Sequence, residues 1–149
     1  MHPEQPAAPR SASFTDLDTT TLYGILKLRS EVFVVEQNCV YGDLDGRDLE
    51  PGTRHVWFEH DGEIRAYLRL LQDGEAQRIG RVVTSSKARG HGLAGRLMTE
   101  ALRIVGHRPS VLEAQSHLTG FYARFGFEPT GPEYLEDGIP HTPMHRPAR

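Results

Sequence analysis

A glycine-rich segment carries residue types and a spacing that could bind an anion. It reads Arg89-Gly90-His91-Gly92-Leu93-Ala94-Gly95, after a β-like stretch and before an apolar stripe with helical spacing. Such a junction offers free backbone N–H groups and the positive end of a helix dipole, and glycines let an anion approach closely. The segment therefore predicts a phosphate or pyrophosphate site. The guanidinium groups of Arg89 and Arg96 could add charge-assisted hydrogen bonds to it.

Two familiar phosphate loops fit this segment poorly. A P-loop requires a Lys and a Ser or Thr directly after the glycines, and neither stands there. The dinucleotide spacing G-x-G-x-x-G is present, but no acidic residue follows at the end of a second parallel strand. From the glycines alone, a turn without a ligand and a nucleotide-binding regulatory module stay open as alternatives.

Composition and charge limit the function classes. The chain has 149 residues, which suits one domain with its own core, and its formal net charge is −3 without long basic runs. We therefore expect no nucleic-acid binding. No apolar stretch reaches the roughly 18–20 residues of a membrane span, and no export signal is recognisable. The single Cys39 excludes an intramolecular disulfide, and we expect a cytoplasmic protein without membrane contact.

Hydrophobic periodicity predicts the elements that must position the glycine segment. A helix should run from Asp18 or Thr19 to about Val34, and the acidic, turn-rich residues 38–53 should form a loop. Runs at 55–60 and 63–71, joined by Asp61-Gly62, indicate a β-hairpin.

Further along the chain, a strand should end at Thr84 and a helix should cover about 91–106. Short strands at 111–115 and 134–135 should flank a short helix at 117–125. The Pro/His-rich residues after 135 indicate a tail, residues 1–11 a mobile tail, and residues 12–149 a single domain.

The predicted order is β-α-β-hairpin-β-α-β-α-β. It predicts an α+β fold with a mixed, mostly antiparallel sheet that is flanked by helices. A β-α-β unit surrounds the glycine segment.

These residues and their order resemble the GNAT superfamily of acyl-CoA-dependent N-acetyltransferases. Val82-Val83-Thr84 followed by Arg89-x-x-Gly92-x-Ala94 is similar to its strand and its R/Q-x-x-G-x-G/A loop. Phe121 to Phe127 resembles its F-Y-x-x-x-G-F motif, and Gln115 stands seven residues before Tyr122, where many members carry Asn. The resemblance covers roughly residues 14–146.

Longer strings resemble the ElaA-like subfamily of this superfamily. They are Leu28-Arg29-x-x-Val32-Phe33-Val34-Val35-Glu36-Gln37, Cys39-x-Tyr41, Asp43-x-Asp45-Gly46, Ala114-Gln115-x-His117-Leu118 and Glu136-Asp137-Gly138-Ile139-Pro140-His141-x-x-Met144.

The resemblance implies acetyl-CoA as co-substrate. The glycine segment would bind its pyrophosphate, and the edge of the preceding strand would pair with the amides of its pantetheine arm and polarise the thioester carbonyl. The alternative is that Val82, Val83 and Thr84 only fill a central strand of the sheet and bind no cofactor. The implied cofactor-binding residues are Val82, Val83, Thr84, Arg89, Gly90, His91, Gly92, Leu93, Ala94, Gly95 and Gln115.

Transfer to an amine requires an acid for the leaving thiolate and a base for the incoming ammonium group. By resemblance, Tyr122 is the acid, and its alternative is a core aromatic among Phe121 and Phe127. Glu113 is the predicted base because it shares a strand face with Gln115. Glu36, Glu133 and His141 remain other candidates for the base. A non-catalytic acyl-CoA binder of the same fold is the competing class of protein.

The acceptor cleft is predicted to be lined by Arg29, Glu36, the 38–53 loop with Asp43, Asp45 and Asp48, and the 136–141 segment with Glu136, Asp137 and His141. Its acidic residues would favour a cationic amine. Arg29 lies on the apolar stripe of the first helix, where it either faces this cleft or pairs internally with a carboxylate. Asp43-x-Asp45-Gly46-x-Asp48 lacks the glycine and glutamate positions of a calcium loop, so no metal is expected. The partners predicted are an amine acceptor and, as a candidate, a second copy of the chain.

Overall fold

The computed structural model describes residues 8–39 and 41–149. Its helices are α1 (Thr19–Arg29), α2 (Leu93–Val105) and α3 (Thr119–Ala123), and a π-helical segment, Ser30–Glu36, continues α1. Its strands are β1 (Arg10–Ala12), β2 (Arg54–His60), β3 (Glu63–Asp73), β4 (Ala76–Thr84), β5 (Ser110–Gln115), β6 (Glu128–Pro129), β7 (Tyr134–Glu136) and β8 (Ile139–Arg146).

The strands form a single mixed sheet in the order β1-β2-β3-β4-β5-β8-β6, and β7 also pairs with β8. Every strand pair is antiparallel except β4 with β5, which are joined through α2 and run parallel. The predicted α+β fold with a mostly antiparallel sheet and one β-α-β unit is therefore confirmed.

Helices cover both faces of the sheet. The side chains of β3 alternate between the two faces, so they contribute to a hydrophobic core on each. Tyr67 belongs to the hydrophobic core that contains Ile25 of α1. Leu68 and Leu70 belong to the core that contains Leu97 of α2. Helix α3 lies on the α2 face, since Tyr122 joins that second core.

The two parallel strands separate soon after they begin. They pair at Gln77 with Ser110 and at Arg78 with Val111, and both continue past these positions without pairing to each other. The edge of β4 that faces β5 therefore keeps free backbone N–H and C=O groups over its second half.

A β-bulge in β4 lies beside this opening. Between the pair Tyr67/Val83 and the pair Arg69/Gly80, β4 contains one more residue than β3. The extra residue reverses the alternation of side chains, so that Ile79 lies in the α2 core and Val83 in the α1 core.

Two hairpin turns shape the rest of the sheet. Asp61 and Gly62 have φ values of 49° and 76°, as a type I′ turn requires, and the predicted hairpin of β2 and β3 is confirmed. Asp137 and Gly138 have φ values of 51° and 79° and connect β7 with β8 in the same way.

Three expectations about the chain need correction. Arg10 and Ser11 are not part of a tail, because they lie in β1 opposite Trp57 and Val56; residues 1–7 lie outside the described residues. The helix predicted to residue 34 is α-helical only to Arg29 and then widens into the π-helical segment.

The third correction concerns the end of the chain. The Pro/His-rich residues after 135 form β8, which lies between β5 and the short outer strands. Prolines lack a backbone donor and usually exclude such a strand. Here the Pro143 carbonyl still accepts a hydrogen bond from the Thr130 N–H at 2.9 Å.

Candidate active site

A cleft of about 850 Å³ opens where β4 and β5 diverge. Its walls come from β4, β5, α3, the π-helical segment and the β7–β8 hairpin. The predicted site residues that line it are Glu36, Val82, Val83, Thr84, Arg89, Ala94, Glu113, Gln115, Tyr122 and His141. Arg29 and residues 90–93 and 95 do not line it.

The glycine segment leaves the N-terminus of α2 uncapped. Gly92 is the N-cap residue, with φ 73°, and no side chain caps the helix. The first helical hydrogen bond runs from the Arg96 N–H to the Gly92 carbonyl at 3.1 Å. The N–H groups of Leu93, Ala94 and Gly95 therefore have no hydrogen-bond partner among the described residues, which is the condition for binding an anion.

Side chains in this segment turn away from the uncapped N–H groups. Leu93 is buried in the α2 core, and Nδ1 of His91 donates to the Ala88 carbonyl at 3.3 Å. The side chain of Arg96 lies over the ring of Phe58, with its guanidinium carbon 4.7 Å from the ring centre. Residues 91–93 can thus offer an anion their backbone, as the position of the glycines predicts.

Arg89 connects the glycine segment to the opposite wall of the cleft. Its guanidinium group donates to the Glu36 carboxylate at 2.6 Å and to the Thr84 carbonyl at 3.3 Å. The hydrogen bond from Arg89 lowers the pKa of Glu36. Glu36 is therefore ionised and already paired in this structure.

Tyr122 combines a buried ring with a hydroxyl that faces the cleft. The ring packs edge-to-face against Phe121 and Phe127, and burial raises the pKa of Tyr122 to about 12. Its hydroxyl has no hydrogen-bond partner within residues 8–39 and 41–149. The core role and the donor role predicted for Tyr122 are thus compatible, because one uses the ring and the other the hydroxyl.

Glu113 and Gln115 share one face of β5, as their spacing predicts, because Leu112 and Ala114 between them are buried in the α2 core. Both carboxylate oxygens of Glu113 are occupied, one by Arg78 at 3.0 Å and the other by the Tyr134 hydroxyl at 2.9 Å. Because both oxygens already accept hydrogen bonds from neighbouring side chains, neither is directed freely towards an acceptor in the cleft, which argues against Glu113 as the base.

Arg29 is not in the cleft, and its predicted contact with an acceptor is wrong. Its side chain is fully buried and donates to the Asp43 carboxylate at 2.9 Å and to Asp48 at 2.8 Å. A third hydrogen bond reaches the Asp43 carbonyl at 2.9 Å. The internal ion pair, which was the alternative for Arg29, is the arrangement present.

The loop aspartates Asp43, Asp45 and Asp48 are paired with arginines and so supply little of the negative potential that was predicted for the entrance together with Glu136 and Asp137. Arg69 binds both oxygens of Asp45, at 2.6 and 2.9 Å, and also donates to Asp48 at 3.1 Å. Arg81 donates to the Asp43 carbonyl at 3.2 Å. Burial disfavours the charge of Asp45, but the hydrogen bonds from Arg69 outweigh it and lower the pKa of Asp45.

Two residues in or beside the cleft were not predicted. Gln37 accepts a hydrogen bond from Gln115 at 3.4 Å and joins the π-helical segment to β5. Tyr134 stacks on His141, with ring centres 5.9 Å apart. The alternation of side chains along β4 and β5 could have indicated that Arg78 contacts Glu113. The role of Tyr134 depends on its pairing with β8, a strand that the sequence did not predict.

No helix in the described ranges is both long and apolar enough to cross a membrane. In the same part of the chain, no three His, Cys, Asp or Glu side chains are gathered so that they could hold a metal ion.

The split between β4 and β5, the uncapped helix between them and the tyrosine beside them define an acyltransferase class of fold, and the comparisons agree. The family model described as Acetyltransferase (GNAT) domain matches residues 18–147. A UPF0039 protein of Mycobacterium tuberculosis is 53% identical over 137 residues, which is 89% of this chain and 88% of the relative.

Solved structures give the same result. An acyl-CoA N-acyltransferase from Pseudomonas aeruginosa is 45% identical with a TM-score of 0.88, and the match covers 93% of this chain and 97% of that one. ElaA of Escherichia coli is 41% identical with a TM-score of 0.89, over 94% and 99% of the two chains. The chain therefore belongs to the GNAT family of acetyltransferase domains and, within it, to the group of ElaA and the UPF0039 proteins, as its sequence predicted.

Proposed function

We propose that this chain is an N-acetyltransferase that transfers the acetyl group of acetyl-CoA to a primary amine. The observation that carries the proposal is the meeting of two unsatisfied backbone surfaces at one cleft. The uncapped N–H groups of α2 suit a pyrophosphate, and the free edge of β4 suits the amides of pantetheine. Acetyl-CoA carries both groups, because its pantetheine arm contains the amides and is attached to the pyrophosphate.

The cofactor would follow β4 towards the acceptor side of the sheet. Its pyrophosphate would rest on the N–H groups at the start of α2, and Arg89 would reach it from the same segment. The backbone groups of Val82–Thr84 that point away from β3 would pair with the pantetheine arm and polarise the thioester carbonyl. Gln115 lies across the opening on β5 and would border the thioester from the other side.

Tyr122 stabilises the leaving thiolate. A thiol has a pKa of about 8.5, well below the value of about 12 to which burial raises the pKa of Tyr122. Complete proton transfer from the phenol to the thiolate is therefore uphill, and the hydroxyl acts by donating a strong hydrogen bond as negative charge develops on sulfur. The proton that finally neutralises the thiolate comes from the attacking nitrogen.

Direct attack of the amine in a ternary complex fits the surroundings of Cys39. The thiol of Cys39 lines the cleft, and its Sγ lies 3.6 Å from the Asp137 carbonyl. No histidine contacts this sulfur among the described residues, so a base that would activate it for an acetyl-enzyme intermediate is missing there.

A thiol-release assay tests the proposed function. The chain is incubated with acetyl-CoA and a panel of polyamines, amino acids, aminoglycosides and peptides with free N-termini, and the acetylated product is identified by mass. We expect release of free CoA in the presence of at least one amine. If CoA binds in calorimetry but no amine of the panel releases thiol above the solvent rate, the chain is instead an acyl-CoA-binding protein without transfer activity.

A further inference from the structure

One imidazole in the cleft has a fixed tautomer. Nδ1 of His141 lies 2.8 Å from the Ile139 carbonyl oxygen. A carbonyl can only accept a hydrogen bond, so Nδ1 carries the proton and the neutral ring keeps its lone pair on Nε2. Nε2 has no hydrogen-bond partner among the described residues, and His141 lines the cleft. A proton acceptor is therefore available at this place.

The ring of His141 is also fixed in orientation. Tyr134 lies opposite His141 in the β7–β8 pair, and the two rings stack at an angle of 27°. The Tyr134 hydroxyl donates to Glu113, which Arg78 holds from the other side. Burial and this hydrogen bond raise the pKa of Tyr134, so the hydroxyl stays protonated and keeps donating. Glu113 is thus a positioning residue for the stack.

Of the carboxylates that line the cleft, Glu36, Asp45 and Glu113 are bound by arginines, whereas Glu136 and Asp137 have no arginine partner among the described residues. Glu36 is paired with Arg89, and Asp45 with Arg69. Glu113 has both oxygens occupied, as described above. The remaining predicted candidate, Glu133, does not line the cleft. His117 does line it and, with Glu136 and Asp137, is a rival that an experiment must separate from His141.

The register of the sheet brings His141 to the reaction side of the cleft. On β8, His141 lies opposite Gln115 of β5. Strand β5 is the one that diverges from the free edge of β4. The amine must approach the thioester from this side because α2 and the cofactor occupy the other.

We propose that His141 is the general base of the transfer; this inference rests on the proposed function. Nε2 takes one proton from the acceptor ammonium group, and the freed nitrogen lone pair attacks the thioester carbonyl carbon. The new C–N bond forms, the C–S bond breaks with its electron pair on sulfur, and a second proton of the nitrogen neutralises the thiolate. The products are the amide, free CoA and an imidazolium that returns its proton to solvent.

The closing experiment compares His141→Gln with His145→Gln and His117→Gln. His145 lies on the same strand but outside the cleft, so it is the matched control. We expect kcat at neutral pH to fall by about 10²–10⁴-fold in His141→Gln, the usual contribution of a positioned base, with the KM for acetyl-CoA unchanged. His145→Gln should stay within a few-fold of the parent, and His117→Gln should lose far less kcat than His141→Gln.

A pH series and chemical rescue exclude a merely structural role. The deficit of His141→Gln should shrink at alkaline pH, where solvent removes the proton of the amine, and added imidazole should restore part of the activity of His141→Ala. The other titratable or charged groups that face this part of the cleft are Tyr134, Glu136, Glu113, Arg78, Glu36, Cys39, Asp137 and His117. Retained activity in His141→Gln, or loss in His117→Gln instead, overturns the assignment.

A measurement without substrate keeps this inference separate from the proposed function. Nitrogen-15 NMR of the histidine side chains reports which ring nitrogen carries the proton. We expect His141 to be the Nδ1–H tautomer at alkaline pH, and a predominant Nε2–H tautomer refutes the proposed base. Lack of thiol release by the parent with every amine refutes the proposed function, whatever the tautomer of His141 is.

Discussion

At the scale of single residues, the same side chain can serve the core with one part and the cleft with another. The ring of Tyr122 packs against Phe121 and Phe127, while its hydroxyl is free for a ligand. The resemblance of the F-Y-x-x-x-G-F string to the family motif implied the donor role, and the neighbouring aromatic residues suggested the core role as its alternative. Arg29 could not be assigned in this way, since its partners Asp43 and Asp48 lie in a loop whose path the sequence does not determine.

Tyr122→Phe should separate these two parts. It keeps the ring, so acetyl-CoA affinity and the free energy of unfolding should hardly change, whereas kcat should fall by about 10²–10³-fold, the usual loss when one hydrogen-bond donor to a developing charge is removed. Because the pKa of Tyr122 is raised to about 12, the parent should also show no loss of kcat from this group up to about pH 10, where a free phenol would ionise. Steady-state kinetics from neutral to alkaline pH measure both effects.

The matched control is Tyr23→Phe, at an exposed tyrosine of α1. It should leave kcat unchanged. A Tyr122→Phe enzyme with a kcat within a few-fold of the parent would mean that the hydroxyl takes no part in the reaction.

At the scale of elements, the site depends on two backbone irregularities. The glycine-rich string predicted the uncapped start of α2, because glycine marks a positive φ at a helix N-cap. The bulge in β4 was not predicted, since Arg81 has φ 52°, a conformation that its residue type does not favour. Strand β8 was missed for the opposite reason, because Pro140 and Pro143 argue against a strand that tertiary pairing nevertheless stabilises.

Gly92→Asn tests the start of α2. Asparagine tolerates the positive φ of this position, and a Cβ atom added there meets no atom within 4 Å, so the variant should fold. Its amide would project into the space above the free N–H groups and could cap them itself. We expect the Kd for CoA, measured by calorimetry, to rise at least about tenfold, which corresponds to about 1.4 kcal/mol.

Gly74→Asn is the control, because Gly74 also has a positive φ and open space but lies in the turn between β3 and β4. It should leave the Kd unchanged. Equal CoA affinity of the parent and Gly92→Asn would move the pyrophosphate away from the N-terminus of α2.

At the scale of the whole molecule, a buried ion network joins parts that are distant in sequence. Arg29 of α1 and Arg69 of β3 both bind Asp48 of the loop before β2. Burial disfavours the charge of Asp48, but the hydrogen bond from Arg29 and the nearby charges outweigh it and lower the pKa of Asp48. The loop that borders the cleft is thereby tied to both the helix and the sheet.

Replacing Arg29, which lies at the centre of this network, should therefore lower the free energy of unfolding and leave the acceptor site chemically intact. Arg29→Ala leaves two buried aspartates without their main partner, so the free energy of unfolding should fall by about 3–5 kcal/mol. The KM for an amine acceptor should stay near that of the parent below the lowered melting temperature. Lys27→Ala, which breaks an exposed pair with Glu31, should change stability by less than about 0.5 kcal/mol.

The pH dependence of the stability difference between the parent and Arg29→Ala shows whether the lost ion pairs cause it. The carboxyl of Asp48 has a lower pKa in the folded chain than its unfolded value of about 3.9. Its contribution is therefore fully present above about pH 4 and is lost as pH falls through the folded pKa. Urea unfolding of the parent and Arg29→Ala from neutral pH downwards should show their difference shrinking only in that acid range. A stability difference that is independent of pH would mean that lost packing, not the ion pairs, causes it. Unchanged stability with a raised KM for the acceptor would mean that Arg29 binds the acceptor after all.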